Sequence, residues 1–369
     1  MRAILFLLVT CLAATFAGAQ EKHLLYMTTP DAAQDGGSGT GILVFDMDHD
    51  HGFVRRIEIP SLAEGVRGVC ASAATGRIYI TTSVHRLVCM DLKTDKIFWD
   101  KKYDTGCDRP AITPDGKTLY VPSGWWIHDN CWLVVDAFTG DEIAPRIKVD
   151  GPSHNTLTSL DGRYAFLASS TRLSVVDTRK QEVIQSISPI GEFGVFPFTV
   201  NGANTRAYVC LGKTIGFDVA DLTTGTVIGR VPTEGEPIKR RTHGVALTPN
   251  EKEVWISDQG GNAVYVFDNA VWPPKQSAKI KISKGGHGWV AFSLDGRWAY
   301  TSSTEVIDAK ERKLTAIFKD EKGKPVSGSK FVEIVFGGDG EVKAVGDQFG
   351  VGRVVQAPDT REPNPSLLK

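Results

Sequence analysis

A sevenfold repeat constrains this chain more than any other feature. Arg67, Arg109, His154, Phe198, His243, His287 and Phe331 follow one another at intervals of 42, 45, 44, 45, 44 and 44 residues. Each lies at or just before a short β-type run that ends in a turn. The turns include Thr113-Pro114-Asp115-Gly116, Ser159-Leu160-Asp161-Gly162, Ser293-Leu294-Asp295-Gly296 and Gly337-Gly338-Asp339-Gly340. Asp-Gly suits a tight hairpin because glycine adopts positive φ without steric cost. A short apolar run follows each turn, as in Lys117–Val121 and Glu253–Ser257, and reads as a strand. A second series has the same count. Asp46, Asp91, Asp136, Asp177, Asp218, Asp268 and Asp308 close runs such as Leu43-Val44-Phe45. Carboxylates there are expected to pin the next turn by accepting backbone N–H groups.

The unit is therefore four strands, A to D, in roughly 44 residues. One such sheet cannot bury both faces, whereas seven arranged radially can. The predicted fold is all-β: a seven-bladed β-propeller of four-stranded antiparallel blades, forming one domain over residues 20–369. Residues 24–59 hold strands B, C and D but no A. The run Phe331–Phe336 supplies that A, so the two ends of the chain share the closing blade. Leu24–Thr28 and Val342–Val345 compete for the place beside it.

The run Thr113-Pro114-Asp115-Gly116-Lys117-Thr118-Leu119-Tyr120-Val121, followed by Val134-Val135-Asp136, resembles the YVTN-type seven-bladed propellers. That group is similar to the cytochrome d1-like, quinoprotein amine dehydrogenase-like and lactonase propellers. The resemblance covers nearly all of the chain after residue 19. It implies the fold, and it leaves function to the site.

In such propellers strand A is innermost, so the repeat residues would line one mouth of the central channel. Arg67, Arg109, His154, His243 and His287 would converge there, with Phe198 and Phe331 as apolar gaps. Three histidines can hold Zn or Cu, with His128 of the loop 124–130 as a further ligand. Arg67 and Arg109 suit a carboxylate or phosphate, and Trp125 and Trp126 could wall a planar ligand. The first functional expectation is thus a small anionic ligand, a metal ion, or both. The alternative is a lactonase-like or carboxylate-cyclising enzyme, with His154 or His243 as general base and Arg109 as clamp. Glu192, Glu234 and Glu236 are its acidic candidates, though none opens a strand A. A protein-interaction scaffold or periplasmic redox partner is a third reading, with the Trp-rich loop as contact patch.

Residues 1–19 read as a secretory signal peptide, with an apolar run Ile4–Leu12 and Ala17-Gly18-Ala19 before the cut. A periplasmic or secreted location is expected, and no membrane span, since the run is too short for one. A net charge of -1 gives no support for nucleic-acid binding. Beyond the leader stand Cys70, Cys89, Cys107, Cys131 and Cys210, an odd number. Cys107 and Cys131 are expected at one face of one blade, joined by a disulfide that tethers the Trp-rich loop. Asp46-Met47-Asp48-His49-Asp50-His51 has the composition of a cation site but not the spacing of a calcium loop.

Overall fold

The apolar runs that follow the turns form strands B and C, and nearly every residue in them is buried. Leu43, Val44 and Phe45 are inaccessible, as are Leu133, Val134 and Val135. Burial on both faces is what a radial sheet packed between two neighbours requires, so these strands do not alternate apolar with polar. The D strands differ. Glu182–Ile187 and Lys313–Ile317 expose most of their length, and Lys275–Lys281 carries three lysines along the outer edge. Charged rims of this kind oppose edge-to-edge pairing.

The structure is a computed structural model that describes residues 21–29, 39–62, 65–192, 197–235, 241–283, 288–326 and 330–355. The signal-peptide segment, His287 and Glu236 lie outside those residues. Seven sheets are formed, each with strands in the order A-B-C-D. The A strands of blades 1 to 7 are Val66–Ser72, Ala111–Ile112, Ser153–Thr158, Phe198–Val200, Arg241–Leu247, Val290–Phe292 and Lys330–Phe336. The core consists of layers between blades. Phe217, Val245, Ile256 and Phe267, for example, pack blade 4 on blade 5.

The expected turn chemistry is present. Thr113 Oγ1, Ser159 Oγ and Ser293 Oγ each donate to the aspartate two residues on, at 2.6 Å. Gly116, Gly162 and Gly296 have φ near +70°. Asp91, Asp136 and Asp177 accept from two backbone N–H groups in the turns they open. One aspartate departs from the series. Asp218 lies inside strand C of blade 4, where it binds Gly191 N and Arg230. Asp221 pins that turn instead, through Thr223 N and Thr224 N.

Both competing strands find a place in the closing blade. Leu24–Thr28 pairs with one edge of strand A, and Val342–Val345 pairs with its inner edge as a fifth strand. The chain then crosses the axis. Gln348 Nε2 donates to Pro110 O of blade 2 at 3.2 Å. The carbonyl of Gly350 accepts from Thr199 Oγ1 of blade 4 and from Leu247 N of blade 5, both at 2.8 Å. Gly352 N donates to Val200 O at 2.9 Å. Gly350 must be glycine here: its φ is +62°, and a Cβ would lie 2.3 Å from that of Ala246. Residues 342–355 thus form an axial plug. It contacts the middle and the A–B-turn end of the inner strands.

Candidate functional site

The plug leaves the other end of the inner strands, where the D–A loops enter, to the repeat residues. Local irregularity turns three of them out of the ladder. Val66 pairs with Thr82 and Gly68 with Thr81, so Arg67 is skipped. His154 is skipped between Ser153 and Asn155, and His243 between Thr242 and Gly244. Such bulges free one residue from pairing and re-aim its side chain. The residue after the bulge meets the next blade at close range. A Cβ on Gly68 would lie 2.8 Å from Arg109 Cα, and one on Gly244 would lie 2.1 Å from Gly288 O. These glycines therefore serve contact between blades.

At the centre of the site is a residue that repeat spacing did not single out. Asp108, fully buried, accepts from Arg109 Nη1 at 2.6 Å and meets His154 Nδ1 through its other oxygen. Its backbone N–H donates to Pro122 O, so it sits at the mouth of strand A in blade 2. Arg109 Nη1 also lies 3.0 Å from His154 Nδ1. That nitrogen cannot serve both partners. Burial raises the Asp108 carboxyl, but Arg109 and His154 outweigh it and hold the group below its ordinary range. The ionised carboxylate then accepts a hydrogen bond from Nδ1–H, and Nε2 is left as the acceptor. Burial pushes His154 down to about 4, with Arg109 and Lys330 adding to the effect and Asp108 opposing it. The imidazole is neutral near pH 7.

Two further cations complete the cluster. Lys330, 1 % exposed, begins strand A of blade 7 and places Nζ 3.5 Å from the ring centre of Trp289. The Arg109 guanidinium lies 4.7 Å from the same ring. Burial, then Arg109, lowers the Lys330 ammonium well below its ordinary range. Arg67 is the partly exposed member. Its guanidinium lies 4.3 Å from the ring centre of Trp126 in the B–C loop of blade 2. Arg109 Nε and both polar atoms of the Asn155 amide are buried without a hydrogen-bond partner among the described residues. The backbones of Arg109 and Asn155 form a β-bridge. Buried groups left in this state call for water, an ion or a ligand.

The structure brings Arg67, Arg109 and His154 together and adds Asp108, Lys330 and Trp289. Asp108 directly precedes Arg109, Lys330 directly precedes Phe331, and Trp289 follows His287 by two. Reading one or two residues around each repeat position would have found all three. His243 packs edge-on against Trp289, with ring centres 5.1 Å apart. His128 and Trp125 are exposed in the loop, and Trp126 folds back over Gly124. Among the described residues no group of three or more His, Cys, Asp or Glu is placed to hold a metal ion.

The expected Cys107–Cys131 bond is not formed, and both are free, buried thiols. Strand B of blade 2 lies between them. Asp108 N donates to Pro122 O, and Ser123 N donates to Cys131 O. Positions two strands apart are about 9–10 Å distant, beyond the Cα separation a disulfide spans. The loop is tethered by charge instead: Asp129 binds Arg146 and Lys148. Gly124 N also donates to Ser153 Oγ at 3.1 Å.

On the opposite face, His23, Asp48, His51, Asp295, Trp298 and Glu333 line a cavity of about 410 Å³. Its buried polar groups are committed to structure. Glu333 binds His23 Nδ1 and Leu294 N, and His51 Nε2 binds the Tyr300 hydroxyl. Glu192, an acidic candidate for the enzyme reading, is paired with Arg230.

No protein-family model and no curated protein sequence matches the chain. Solved structures share its fold. Hydrazine synthase of Kuenenia stuttgartiensis aligns at 19 % identity and a TM-score of 0.59, over 70 % of this chain and 81 % of that one. The β-propeller domain of Cps50 (Swd1) from Myceliophteria thermophila aligns at 10 % identity and 0.59, over 75 % and 93 %. The dihydro-heme d1 dehydrogenase NirN, in complex with DHE, aligns at 14 % identity and 0.58, over 84 % and 74 %. These likenesses show the fold alone, a β-propeller, and the sheets of this chain give it seven blades. No helix among the described residues is long and apolar enough to cross a membrane.

Proposed function

We propose that the D–A end of the ring binds a small carboxylate or other oxoanion against Arg67, Arg109 and Lys330. One observation carries this reading. Among the described residues, two guanidiniums and a lysine act on one another around the Asp108 carboxylate. Buried charge is costly unless it is paired, and an anion entering beside Arg67 would offset the excess. A guanidinium fork fits carboxylate or phosphate oxygens. Asn155, buried beside Arg109, could contribute both a donor and an acceptor. Copper or zinc at His154, His243 and His287 is the weaker candidate, because the same three cations repel a metal ion. Calorimetric titration with acetate, oxalate and phosphate at low ionic strength tests the reading. Saturable binding that weakens tenfold or more in Arg67→Ala supports it, and equal binding by both proteins removes it.

The Asp108–His154 pair favours a second reading, hydrolysis of a small lactone or ester. A neutral histidine oriented by a buried carboxylate is a general base by construction. His154 Nε2 would accept the proton of water, and Arg109 would hold a carboxylate or developing oxyanion. Asp108 supplies the acidic residue at the mouth of a strand A that this chemistry needs. Turnover of a small lactone panel, lost in His154→Gln with the fold retained, is the expected result. No turnover by the parent protein leaves the binding role alone. We place the protein in the periplasm or outside the cell, with residues 1–19 removed. N-terminal sequencing of the mature chain should begin at Gln20.

A further inference from the structure

The axial segment does not fill the space it crosses. Its backbone lies against blades 4 and 5, where Gly350 O accepts from Thr199 Oγ1 and Leu247 N. Gly352 N donates to Val200 O, and Arg353 N donates to Pro249 O. Toward blades 1 and 2 the Gln348 amide makes the link, accepting from Val69 N and donating to Pro110 O. Between the segment and the inner strands of blades 1 to 3 a cavity of about 330 Å³ remains. It lies at the A–B-turn end of the ring, with Ala73, Pro114 and Leu160 among its partly or fully exposed lining. Val69, Leu157, Phe349 and Val351 give it apolar walls. Three hydroxyls in the lining are already engaged. Thr113 Oγ1 and Ser159 Oγ bind Asp115 and Asp161, and Thr158 Oγ1 donates to Ile112 O. Water finds few partners in such a space, so an apolar group that displaces it gains affinity. Charge enters the lining at one place among the described residues, the pair Asp347 and Arg353. The two are not equally engaged. Asp347 accepts from Phe349 N and Val351 N within its own turn. Arg353, partly exposed, makes one side-chain hydrogen bond among the described residues, to Asp347 Oδ2 at 3.3 Å. Most of its five N–H donors are left over, and a guanidinium fork matches a carboxylate.

We propose that this cavity binds a free aliphatic monocarboxylate of medium chain length, with its chain among the apolar walls and its head on Arg353. The site is separate from the anion site at the D–A end and does not depend on it. Size sets the length. The space equals the liquid volume of about eleven waters, which suits a chain of about eight carbons whose head stays at the rim. Charge sets the class. A carboxylate meets the uncommitted part of the Arg353 fork, whereas an alcohol of the same length gains no ion pair. A dicarboxylate would bring its second charge in among apolar side chains, where an unpaired charge is costly.

The test is calorimetric titration of the full mature chain at pH 7 with butanoate, hexanoate and octanoate. One octanoate should bind per chain, with a negative heat-capacity change from apolar burial. Affinity should rise about three- to fourfold for each added CH₂. Octanol and octanedioate should bind at least fivefold more weakly than octanoate. These comparisons use the parent protein and do not depend on any variant folding. Ala73→Trp, at the partly exposed lining, should weaken octanoate at least tenfold. Arg353→Gln should remove the preference for octanoate over octanol, and Arg67→Ala should leave octanoate binding unchanged. No saturable binding, an affinity flat along the series, or no response to Ala73→Trp overturns the site. Equal binding of octanol and octanoate overturns the carboxylate. Loss of octanoate binding in Arg67→Ala would assign the ligand to the D–A end and also overturn the proposal.

Discussion

Blades 3 and 4 carry the same repeat position to the axis and use it in opposite ways. His154 falls in a bulge, drops out of the ladder and meets Asp108 across the blade boundary. Phe198 stays in register with Val209 and packs with Trp289, Phe349 and Val351 in an apolar layer under the plug. Repeat phase places a residue near the axis in both cases. The bulge, together with what the neighbouring blade offers, decides whether that place holds chemistry or core. The polar side of the ring is therefore also its irregular side, in keeping with bulges beside functional sites elsewhere.

The sharpest way to break this contrast is to remove one residue from each side. Asp108→Ala leaves Arg109 buried without its carboxylate and should cost about 3–5 kcal/mol. Phe198→Ala should cost a similar ~3–5 kcal/mol by opening a cavity. Urea unfolding at pH 7 measures both. Only Asp108→Ala should also disturb anion binding, so a Phe198→Ala protein that folds yet loses the anion would show that the two arcs are one unit.

Acid should reveal the polar arc next. Unfolded, His154 titrates near its ordinary 6.5, and folded it titrates at about 4. Between those values the unfolded chain binds more protons, so stability falls as pH drops from about 6.5 to about 4. The change is on the order of 3 kcal/mol for this histidine. His51, buried against Tyr300 and also held at about 4, adds a slope of the same sign. His154→Gln should thus remove part of the acid sensitivity, and an unchanged pH profile would contradict the buried neutral imidazole.

Smaller effects sharpen the picture at the rim. Trp126→Ala removes the ring under Arg67, worth about 0.5–1 kcal/mol at such a site, and should weaken anion binding two- to fivefold without moving the unfolding midpoint. Smallest of all, Cys131→Ser should change stability by less than about 1.5 kcal/mol, below the range for losing a disulfide. Thiol titration of the denatured, unreduced mature protein should find Cys70, Cys89, Cys107, Cys131 and Cys210 all free.

The ring was legible because its determinants are local. Asp-Gly turns and short apolar runs recur with a fixed period, and the seven-blade count follows from them. That Arg67, Arg109 and His154 come together was legible for the same reason. Asp108 and Lys330 were not, because they stand one residue before the repeat phase and matter only through contacts between blades. The disulfide expectation failed over a strand: knowing that Cys107 and Cys131 share a face does not show that strand B separates them. Asp218 misled in the same way, since strand C of blade 4 runs three residues past it to Asp221. The plug was half visible, as a run able to pair with the closing strand, but its path across the axis depends on hydrogen bonds to blades 2, 4 and 5.

Ring closure also sets the order in which the molecule can assemble. Thr28 Oγ1 donates to Lys330 O across 302 residues of chain. Bringing those ends together costs about 5 kcal/mol of loop entropy before any contact between them repays it. The last strand then carries Lys330 into the site, and the segment after it crosses the axis. Six blades can each form from neighbours in sequence, but neither the buried cluster nor the axial crossing exists until residues 330–355 arrive. Slow folding is the expected kinetic signature of such distant pairing. Competence at the site should appear in the final phase, together with closure, and not blade by blade.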